Sequence, residues 1–279
     1  MKLRLFHHRD GARVAYREAG TGPGLVLLHS AMLSHREWEP VAEHLTDRFR
    51  LVLPDLPLHG DSEDRPRHPY TLDWLADVMS AFCAETCGPR PAVGGHGLGA
   101  QLLLRSVARG SLRPARLVVM PCSLHGDPAG PVDHRAFRMA ARAAAAPGLD
   151  RLLSHGARLV FHPERAAGLT SRDEPAARDL LRHAFADVGG NTNLARSWSK
   201  FARRAPRRPW AELHDLYAQL EMPVLLLWAD ADRRHPVSLA EEAVRELPGA
   251  QLRVLPGTGY LIAYDDPVGV AREITAFCG

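Results

Sequence analysis

The sequence lacks the features that mark secreted, membrane-spanning or disulfide-rich proteins. Its four cysteines (Cys83, Cys87, Cys122 and Cys278) form no disulfide framework and no Cys-x-x-Cys pair, so we expect a reducing cytoplasmic location. No window approaches the roughly 20 consecutive apolar residues that a membrane-spanning helix needs. Residues 1–8 contain no apolar run of signal-peptide length. These absences predict a cytoplasmic protein with no membrane partner.

Motifs for metals, dinucleotides and nucleic acids are also missing. The 15 histidines form no His-Glu-x-x-His or similar ligand set, so we expect no metal. The stretch Gly95-His96-Gly97-Leu98-Gly99 lacks the G-x-G-x-x-G spacing, and no acidic residue is placed for a ribose. No helix-turn-helix, RNA-binding or zinc-finger signature is present. We therefore expect no cofactor and no nucleic-acid partner.

The chain is long enough for one large domain with an insertion. It has 279 residues, of which 46% are hydrophobic and 24% charged, as in ordinary globular proteins. Asp10-Gly11 is a tight-turn signal between two strand patterns, which predicts a hairpin. Strand and helix patterns then alternate, which predicts an α/β fold with a parallel sheet and right-handed crossovers. The predicted elements are the hairpin strands 3–8 and 12–18, strands 25–28, 50–53, 117–120, 224–228 and 251–255, and helices 38–45, 71–87, 239–247 and 267–277.

The alternation stops in the middle of the chain. Residues 124–208 carry helical patterns but no convincing buried strand. We interpret them as a helical lid (cap), inserted after the sixth strand, over the strand ends where open α/β sheets bind ligands. The core then comprises residues 1–123 and 209–279. Residues 134–208 contain 15 Lys and Arg against 6 Asp and Glu, a net charge of +9. Such a lid is either a solvated basic face or an attractor for an anionic substrate or an acidic carrier protein.

A tight turn between a strand and a helix organises the chain. Ala92 and Val93 lead into Gly95-His96-Gly97-Leu98-Gly99, and apolar residues at helical spacing follow. This is the outline of the nucleophile elbow G-x-S-x-G, in which the central residue adopts a strained, positive φ. That residue here is Gly97, which adopts this conformation without steric cost. The turn should therefore form, but the hydroxyl that would attack a substrate is absent.

Several further stretches, taken in order, resemble the α/β-hydrolase fold, in the capped subgroup of esterases, haloperoxidases and epoxide hydrolases. They are Leu27-Leu28-His29-Ser30-Ala31, Pro54-Asp55 with His59-Gly60-Asp61-Ser62, the elbow, Leu227-Trp228-Ala229-Asp230-Ala231-Asp232 and Pro256-Gly257-Thr258-Gly259-Tyr260. The resemblance covers nearly the full length apart from the lid. It implies a mostly parallel twisted sheet with helices on both faces and a lid over the active site.

The resemblance places the nucleophile, acid and base of a catalytic triad on Gly97, Asp232 and Tyr260. Serine hydrolysis needs a hydroxyl, a base active near neutral pH and a carboxylate that orients the base. Gly97 has no side chain, and tyrosine has an ordinary pKa of about 10. The usual hydrolytic activity is therefore not expected. By position, the resemblance assigns an oxyanion hole to the N–H groups of Ala31 and Leu98, which side-chain substitutions do not remove.

The candidate site residues each allow a catalytic and a structural interpretation. Tyr260 either donates a proton to a substrate or fills the vacated histidine site. Asp232 acts as a general base after desolvation, accepts a hydrogen bond from Tyr260, or binds the loop backbone, and Asp230 is the alternative acid. His235 is either a displaced base or an exposed loop histidine. Ser30 is the nearest hydroxyl for a relocated nucleophile, although the sequence supplies it with no base.

The remaining predicted pocket residues are more ordinary. His29 and His96 stand where this family keeps structural histidines. Cys122 ends a strand and either faces the pocket or is a small buried hydrophobe.

Three functions remain open at this point. The first is a non-hydrolytic lyase, cyclase or isomerase of a small carbonyl-bearing metabolite, such as secondary metabolism employs, with Asp232 and Tyr260 as base and acid. The second is a hydrolase with relocated residues or an activated water. The third is a catalytically silent ligand-binding or accessory protein. The substrate and the oligomeric state are not specified by the sequence.

Overall fold

A computed structural model describes residues 1–124, 169–172, 175–188, 192–204, 217 and 220–279. The strands are β1 Lys2–His7, β2 Arg13–Ala19, β3 Gly24–Leu28, β4 Arg50–Pro54, β5 Ala92–Gly95, β6 Arg116–Val119, β7 Val224–Ala229 and β8 Gln251–Leu255. The α-helices are α1 Glu39–Leu45, α2 Leu72–Cys87, α3 Leu98–Ala108, α4 Pro175–Val188, α5 Thr192–Arg204, α6 Val237–Glu246, α7 Ile262–Asp265 and α8 Pro267–Cys278. A 3₁₀ turn, His35–Trp38, precedes α1.

The eight strands form one sheet in the order β1-β2-β4-β3-β5-β6-β7-β8. The hairpin predicted from Asp10-Gly11 is confirmed, because β1 and β2 are antiparallel with Lys2 opposite Glu18 and His7 opposite Arg13. Strands β3 to β8 run parallel to their neighbours. This is the α/β-hydrolase arrangement that the motifs predicted, a mostly parallel sheet with one antiparallel edge.

The core lies on both faces of the sheet. Apolar side chains of α2, α3 and α6 cover one face, and those of α1 and α8 cover the other. The central strands are apolar on both sides, since every residue of β7 is buried, as is typical of parallel strands between two helical layers. The sheet is therefore rigid, and it fixes the positions of the loops at its carboxyl ends.

Most element ends fall within a few residues of the prediction. Helix α2 begins one residue later than predicted, because the Thr71 hydroxyl caps the helix and accepts the Trp74 N–H at 3.1 Å. The helix predicted to begin at Trp38 begins at Glu39, after the 3₁₀ turn. The short helix α7 was not predicted, because four residues carry no usable periodicity.

The predicted lid of residues 124–208 lies largely outside the described residues. Within it, α4 and α5 are described, and α5 is tied to the loop after β4. The Ser197 hydroxyl donates to the Asp64 carbonyl at 2.6 Å, and the Lys200 ammonium donates to the Pro66 carbonyl at 3.0 Å. The helical part that is described therefore packs beside the carboxyl ends of the strands. None of the helices in the described ranges is long and apolar enough to cross a lipid bilayer.

Candidate active site

The sheet register brings four loops together at one edge. Leu28 of β3 is paired with Gly95 of β5, so the residues after these strands, His29-Ser30 and His96-Gly97, lie side by side. Strands β7 and β8 end in register at Ala229 and Leu255. Their loops carry Asp232 and Tyr260. The order of the strands thus assembles the predicted site from four separate stretches of sequence.

The elbow has the predicted conformation, and neighbouring side chains occupy the space where the side chain of its central residue would lie. Gly97 has φ = +51°, and it immediately precedes helix α3. A side chain added at Gly97 would collide with the Ser30 hydroxyl and with the Tyr260 hydroxyl. These two hydroxyls are hydrogen-bonded to each other. Ser30 and Tyr260 therefore place a pair of hydroxyl groups where the nucleophilic side chain of the family would stand.

Tyr260 is held as a neutral phenol. Burial raises the pKa of Tyr260 above its ordinary value; the hydrogen bond with Ser30 opposes this, and the carboxylates of Glu37 and Asp232 add to it. The pKa shift keeps the phenol protonated at neutral pH. The Tyr260 ring lies between two imidazoles, with centroids 4.2 Å from His96 and 5.3 Å from His235. Tyr260 can therefore donate a hydrogen bond but is a poor base.

The acid of the site orients a histidine that follows it by three residues. His235 Nδ1 lies 2.9 Å from Asp232 Oδ2, and the Arg234 N–H donates to Asp232 Oδ1 at 2.8 Å. Burial acts to raise the pKa of Asp232, but the hydrogen bond and charge of His235 outweigh it, and the pKa lies below its ordinary value. A lowered pKa does not favour the desolvated Asp232 base that was one of the alternatives for this residue. The alternative bond from Tyr260 to Asp232 is not formed, because the Tyr260 hydroxyl binds Ser30.

A second carboxylate–imidazole pair, Glu37 with His96, lies behind the hydroxyl pair. Both side chains are fully buried, and Glu37 Oε1 is hydrogen-bonded to His96 Nδ1. Glu37 Oε2 accepts the Ser30 N–H at 2.7 Å. His96 Nε2 is buried without a hydrogen-bond partner in the described part of the chain. Glu37, His96, Tyr260 and Ser30 thus form a closed ring of contacts, which fixes the position of the two hydroxyls.

Sequence reasoning missed Glu37. The residue precedes the buried Trp38 at the start of a helix, where an acidic residue is ordinarily a solvent-exposed first-turn residue. A weak signal existed, since Glu37 lies eight positions after His29, in the loop that the family uses at its active site. Nothing in the spacing identified His96, 59 residues away, as its partner.

The predicted oxyanion donors belong to the residues that directly follow Ser30 and Gly97 in the sequence. Leu98 is the first residue of α3, and Ala31 follows Ser30 in the loop after β3. Neither N–H has an acceptor among the described residues. Free N–H groups at the start of a helix favour negative charge.

Other candidates have structural contacts. His29 Nδ1 lies 2.7 Å from the Ser30 carbonyl and its Nε2 accepts the Leu56 N–H at 2.9 Å. Burial lowers the pKa of His29 to about 3, so it is a neutral scaffold residue. Cys122 is fully buried in the core, and burial raises the pKa of its thiol. Asp230 is exposed and accepts the Gly257 N–H at 2.7 Å, so it ties two loops together.

Comparison with known proteins identifies the family of the chain. A model of the alpha/beta hydrolase family matches residues 25–273. The pimeloyl-[acyl-carrier protein] methyl ester esterase of Nitrosomonas europaea is 28% identical over 271 residues, which are 89% of this chain and 93% of that protein. The magnesium-chelatase 30 kDa subunit of Rhodobacter capsulatus is 26% identical over 246 residues, which are 86% of this chain and 81% of that protein.

Solved structures show the same architecture. An alpha/beta hydrolase fold protein from Burkholderia ambifaria superimposes with a TM-score of 0.82 over 98% of this chain and 97% of that chain, at 20% sequence identity. At this identity the likeness concerns the fold alone.

Proposed function

Because the chain belongs to the alpha/beta hydrolase family, yet has a glycine where that site needs a nucleophile, we propose that it is a non-hydrolytic enzyme of the lyase, cyclase or isomerase type. Its substrate is a small carbonyl-bearing metabolite. The observation that carries this proposal is the Ser30–Tyr260 hydroxyl pair beside Gly97. Two neutral donors replace a nucleophile and its base, so the site is suited to binding an oxygen rather than attacking a carbon.

The proposed reaction begins with removal of a proton next to the carbonyl. The proton passes from the α-carbon to Nε2 of His235, and the electron pair of the C–H bond moves through the new C=C bond onto the carbonyl oxygen. The resulting enolate oxygen accepts hydrogen bonds from the hydroxyl of the Ser30–Tyr260 pair whose proton is not used within the pair, and from the N–H groups of Ala31 and Leu98. Such preorganised donors are often the largest contribution to catalysis. The enolate then regains a proton elsewhere or expels a leaving group from the β-carbon.

The Asp232–His235 pair supplies the base in this proposal. Asp232 binds Nδ1, which leaves Nε2 of His235 to accept the proton, and the low pKa of Asp232 keeps a negative charge beside the imidazolium that forms. The His235 ring is stacked on the ring of Tyr260, the proposed oxygen donor. Because the base and the hydrogen-bond donor are adjacent, the base can take a proton from the α-carbon while the donor binds the oxygen of the same carbonyl group.

The relatives support a carbonyl-bearing substrate without specifying it. One is named for a methyl ester carried on an acyl-carrier protein, and another is named as a magnesium-chelatase subunit. We infer from the first name and the basic lid sequence that a carrier-bound acyl group is one candidate substrate.

The test is exchange of α-protons for deuterium, followed by ¹H NMR in D₂O on a panel of ketones, β-keto acids and acyl thioesters. The wild-type protein should accelerate exchange in at least one compound. The variants Tyr260→Phe and His235→Asn should each reduce the rate on the order of 10²-fold or more. The matched controls Tyr16→Phe and His44→Asn should exchange normally. Exchange that is equal in Tyr260→Phe and wild type would refute the proposal.

A second candidate function rests on the place of the Ser30 hydroxyl. Because this hydroxyl occupies the space of a side chain on Gly97, Ser30 could act as a relocated nucleophile of a hydrolase. The raised pKa of Tyr260 argues against it, since Tyr260 is the hydrogen-bond partner of the Ser30 hydroxyl. Intact mass spectrometry after treatment with a fluorophosphonate decides this, because labelling that disappears in Ser30→Ala would establish the nucleophile. A protein that binds a ligand but shows neither labelling nor exchange would be a silent binding protein.

A further inference from the structure

A cavity of about 380 Å³ is bordered by the loop that follows Ser30. Its walls are the loop after β3 from Met32 to Arg36, the loop after β4 from Leu58 to Asp64, and helices α4 and α5. Cavities of about 300–1,000 Å³ are the usual size for small-molecule ligands. The first lining residue on the loop after β3, Met32, is two positions after Ser30 in the sequence.

One wall of the cavity presents a histidine oriented by a buried carboxylate. His35 Nδ1 lies 2.8 Å from Asp55 Oδ1, and the His35 N–H donates to the same oxygen at 2.7 Å. Asp55 is fully buried, and its Oδ2 accepts the Asp61 N–H at 3.0 Å. His35 lines the cavity, and its Nε2 has no partner among the described residues. The imidazole is thus fixed at one nitrogen and left free to bind a ligand at the other.

Two arginines and two aspartates are among the residues that line the cavity. Arg17 donates to Asp61 at 2.6 Å, so these two lining residues neutralise each other. Asp64 has a contact of its own. Arg36 lines the cavity and has no ion pair in the ranges that the structure describes. His183, on α4, also lines the cavity. An arginine without an ion pair, together with a histidine whose Nε2 is free, supplies donors suited to a carboxylate or phosphate.

The loops that form the cavity are held in unfavourable backbone conformations. Among the described residues three non-glycine positions have positive φ, and two of them, Met32 at +68° and Leu58 at +76°, line this cavity. Such conformations are energetically unfavourable and concentrate at ligand sites. Leu58, Leu194 and Trp198 form an apolar cluster in the lining. The cavity therefore has polar donors and an apolar, aromatic patch in its walls.

We propose that this cavity binds the anionic end of an organic acid, with Arg36 and His35 holding its carboxylate or phosphate group and Trp198 packing on its apolar body. The inference rests on the proposed function in one respect: it makes the substrate a carbonyl compound that also carries an anionic group. It identifies Arg36 and His35 as specificity-determining residues. Neither residue takes part in the proton transfer at the hydroxyl pair.

Isothermal titration calorimetry on the full chain tests this without any need for turnover. The probes are 3-phenylpropionate, its uncharged amide of equal shape, and phenyl phosphate. The variants are Arg36→Gln, and His35→Asn, which keeps an N–H for Asp55 but removes Nε2. The control is Arg48→Gln, because Arg48 is an exposed arginine away from the cavity. Circular dichroism confirms that each variant folds.

We expect one of the two anions to bind and the amide to bind about tenfold or more weakly, since one charge-assisted contact contributes about 1.4 kcal/mol or more. Arg36→Gln should weaken binding about tenfold and His35→Asn about threefold, while Arg48→Gln binds like wild type. Tighter binding of phenyl phosphate would identify the group as a phosphate, and tighter binding of 3-phenylpropionate as a carboxylate. Binding of neither anion more tightly than the amide, unchanged binding in Arg36→Gln, or no binding overturns the inference. Anion binding without α-proton exchange would refute the proposed function alone.

Discussion

The hydroxyl of Ser30 is hydrogen-bonded to that of Tyr260, a residue 230 positions further along the chain. The contact lies over Gly97, in the space that a side chain there would need. A side chain at position 97 would collide with the two hydroxyls, and loss of either hydroxyl group would leave empty space beside Gly97. The glycine, the serine and the tyrosine therefore fit one another in space, as the proposed donor site requires.

Restoring a serine at Gly97 should destabilise the protein. A serine at φ = +51° is strained, and its side chain meets Ser30 and Tyr260. We expect Gly97→Ser to lower the free energy of unfolding by about 3 kcal/mol, measured by urea denaturation. Gly110→Ser controls for the backbone cost, because Gly110 has φ = +68° but no atom near its added side chain. Ser30→Gly should recover part of the loss in the double variant, and strictly additive effects would contradict the predicted contact.

The family triad should be recoverable by three substitutions. Gly97→Ser restores the nucleophile, Ser30→Gly makes space for its side chain, and Tyr260→His restores the base. Asp232 is already in place as the acid. We expect hydrolysis of p-nitrophenyl acetate on the order of 10²-fold above any single variant. Asp232 also binds His235, so a further His235→Asn change should raise the rate. If the combined variant folds but hydrolyses no better than Gly97→Ser, the assignment of Asp232 as the retained acid is wrong.

Glu37 should be important for stability because it satisfies two buried donors. Glu37→Gln keeps one acceptor oxygen but presents an amide N–H₂ to the Ser30 N–H or to the His96 ring. We expect the free energy of unfolding to fall by about 3 kcal/mol. The control Glu39→Gln changes an exposed glutamate two residues away and should be nearly neutral. A loss in Glu37→Gln no larger than in Glu39→Gln would show that the ring of contacts does not hold the site.

Stability should decline as the pH falls below 6.5. Burial lowers the pKa of His29 to about 3 and that of His59 to about 4, while both titrate near 6.5 in the unfolded chain. Between these values the unfolded state binds protons that the folded state does not, so unfolding becomes easier. Each imidazole contributes about 1.4 kcal/mol per pH unit near pH 5. The stability that comes from keeping these two imidazoles neutral is fully present above pH 6.5 and is lost as the pH falls below that value.

The variant His59→Asn isolates one of these imidazoles. It retains a donor for the Pro57 carbonyl and removes the titrating group. The slope of unfolding free energy against pH, measured by urea denaturation between pH 4.5 and 6, should fall by about 1.4 kcal/mol per pH unit. His44→Asn, at an exposed position, should leave the slope unchanged. An unchanged slope in His59→Asn would mean that His59 is accessible to protons in the folded protein.

The fold was predictable because its signals are local. The turn at Asp10-Gly11, the apolar strands and the elbow glycines each act within a few residues, and the sheet bears them out. The site was predictable only in part. Gly97, Asp232 and Tyr260 follow from motifs, but the contact of Ser30 with Tyr260 depends on packing across the sheet. His235 was expected to be either a displaced base or an exposed loop histidine, and its hydrogen bond to Asp232 was not predicted.

Two features of the site had no usable sequence signal. Glu37 and His96 approach each other only because the loop after β3 folds back over the end of β5. The orientation of His35 by Asp55 depends on a loop whose residue Met32 adopts a positive φ that apolar side chains rarely take. Long-range polar contacts of this kind are not encoded in periodicity or in turn chemistry.

The most direct test of the central claim, that hydroxyl donors replace the hydrolytic triad, is the hydrolysis of a panel of activated esters by the purified protein. Ser30→Ala and Tyr260→Phe are assayed beside it. The account predicts no turnover above the buffer rate for the wild-type protein and for both variants. Turnover well above buffer that falls in Ser30→Ala or in Tyr260→Phe would contradict it, because the hydroxyl pair would then be a hydrolytic site.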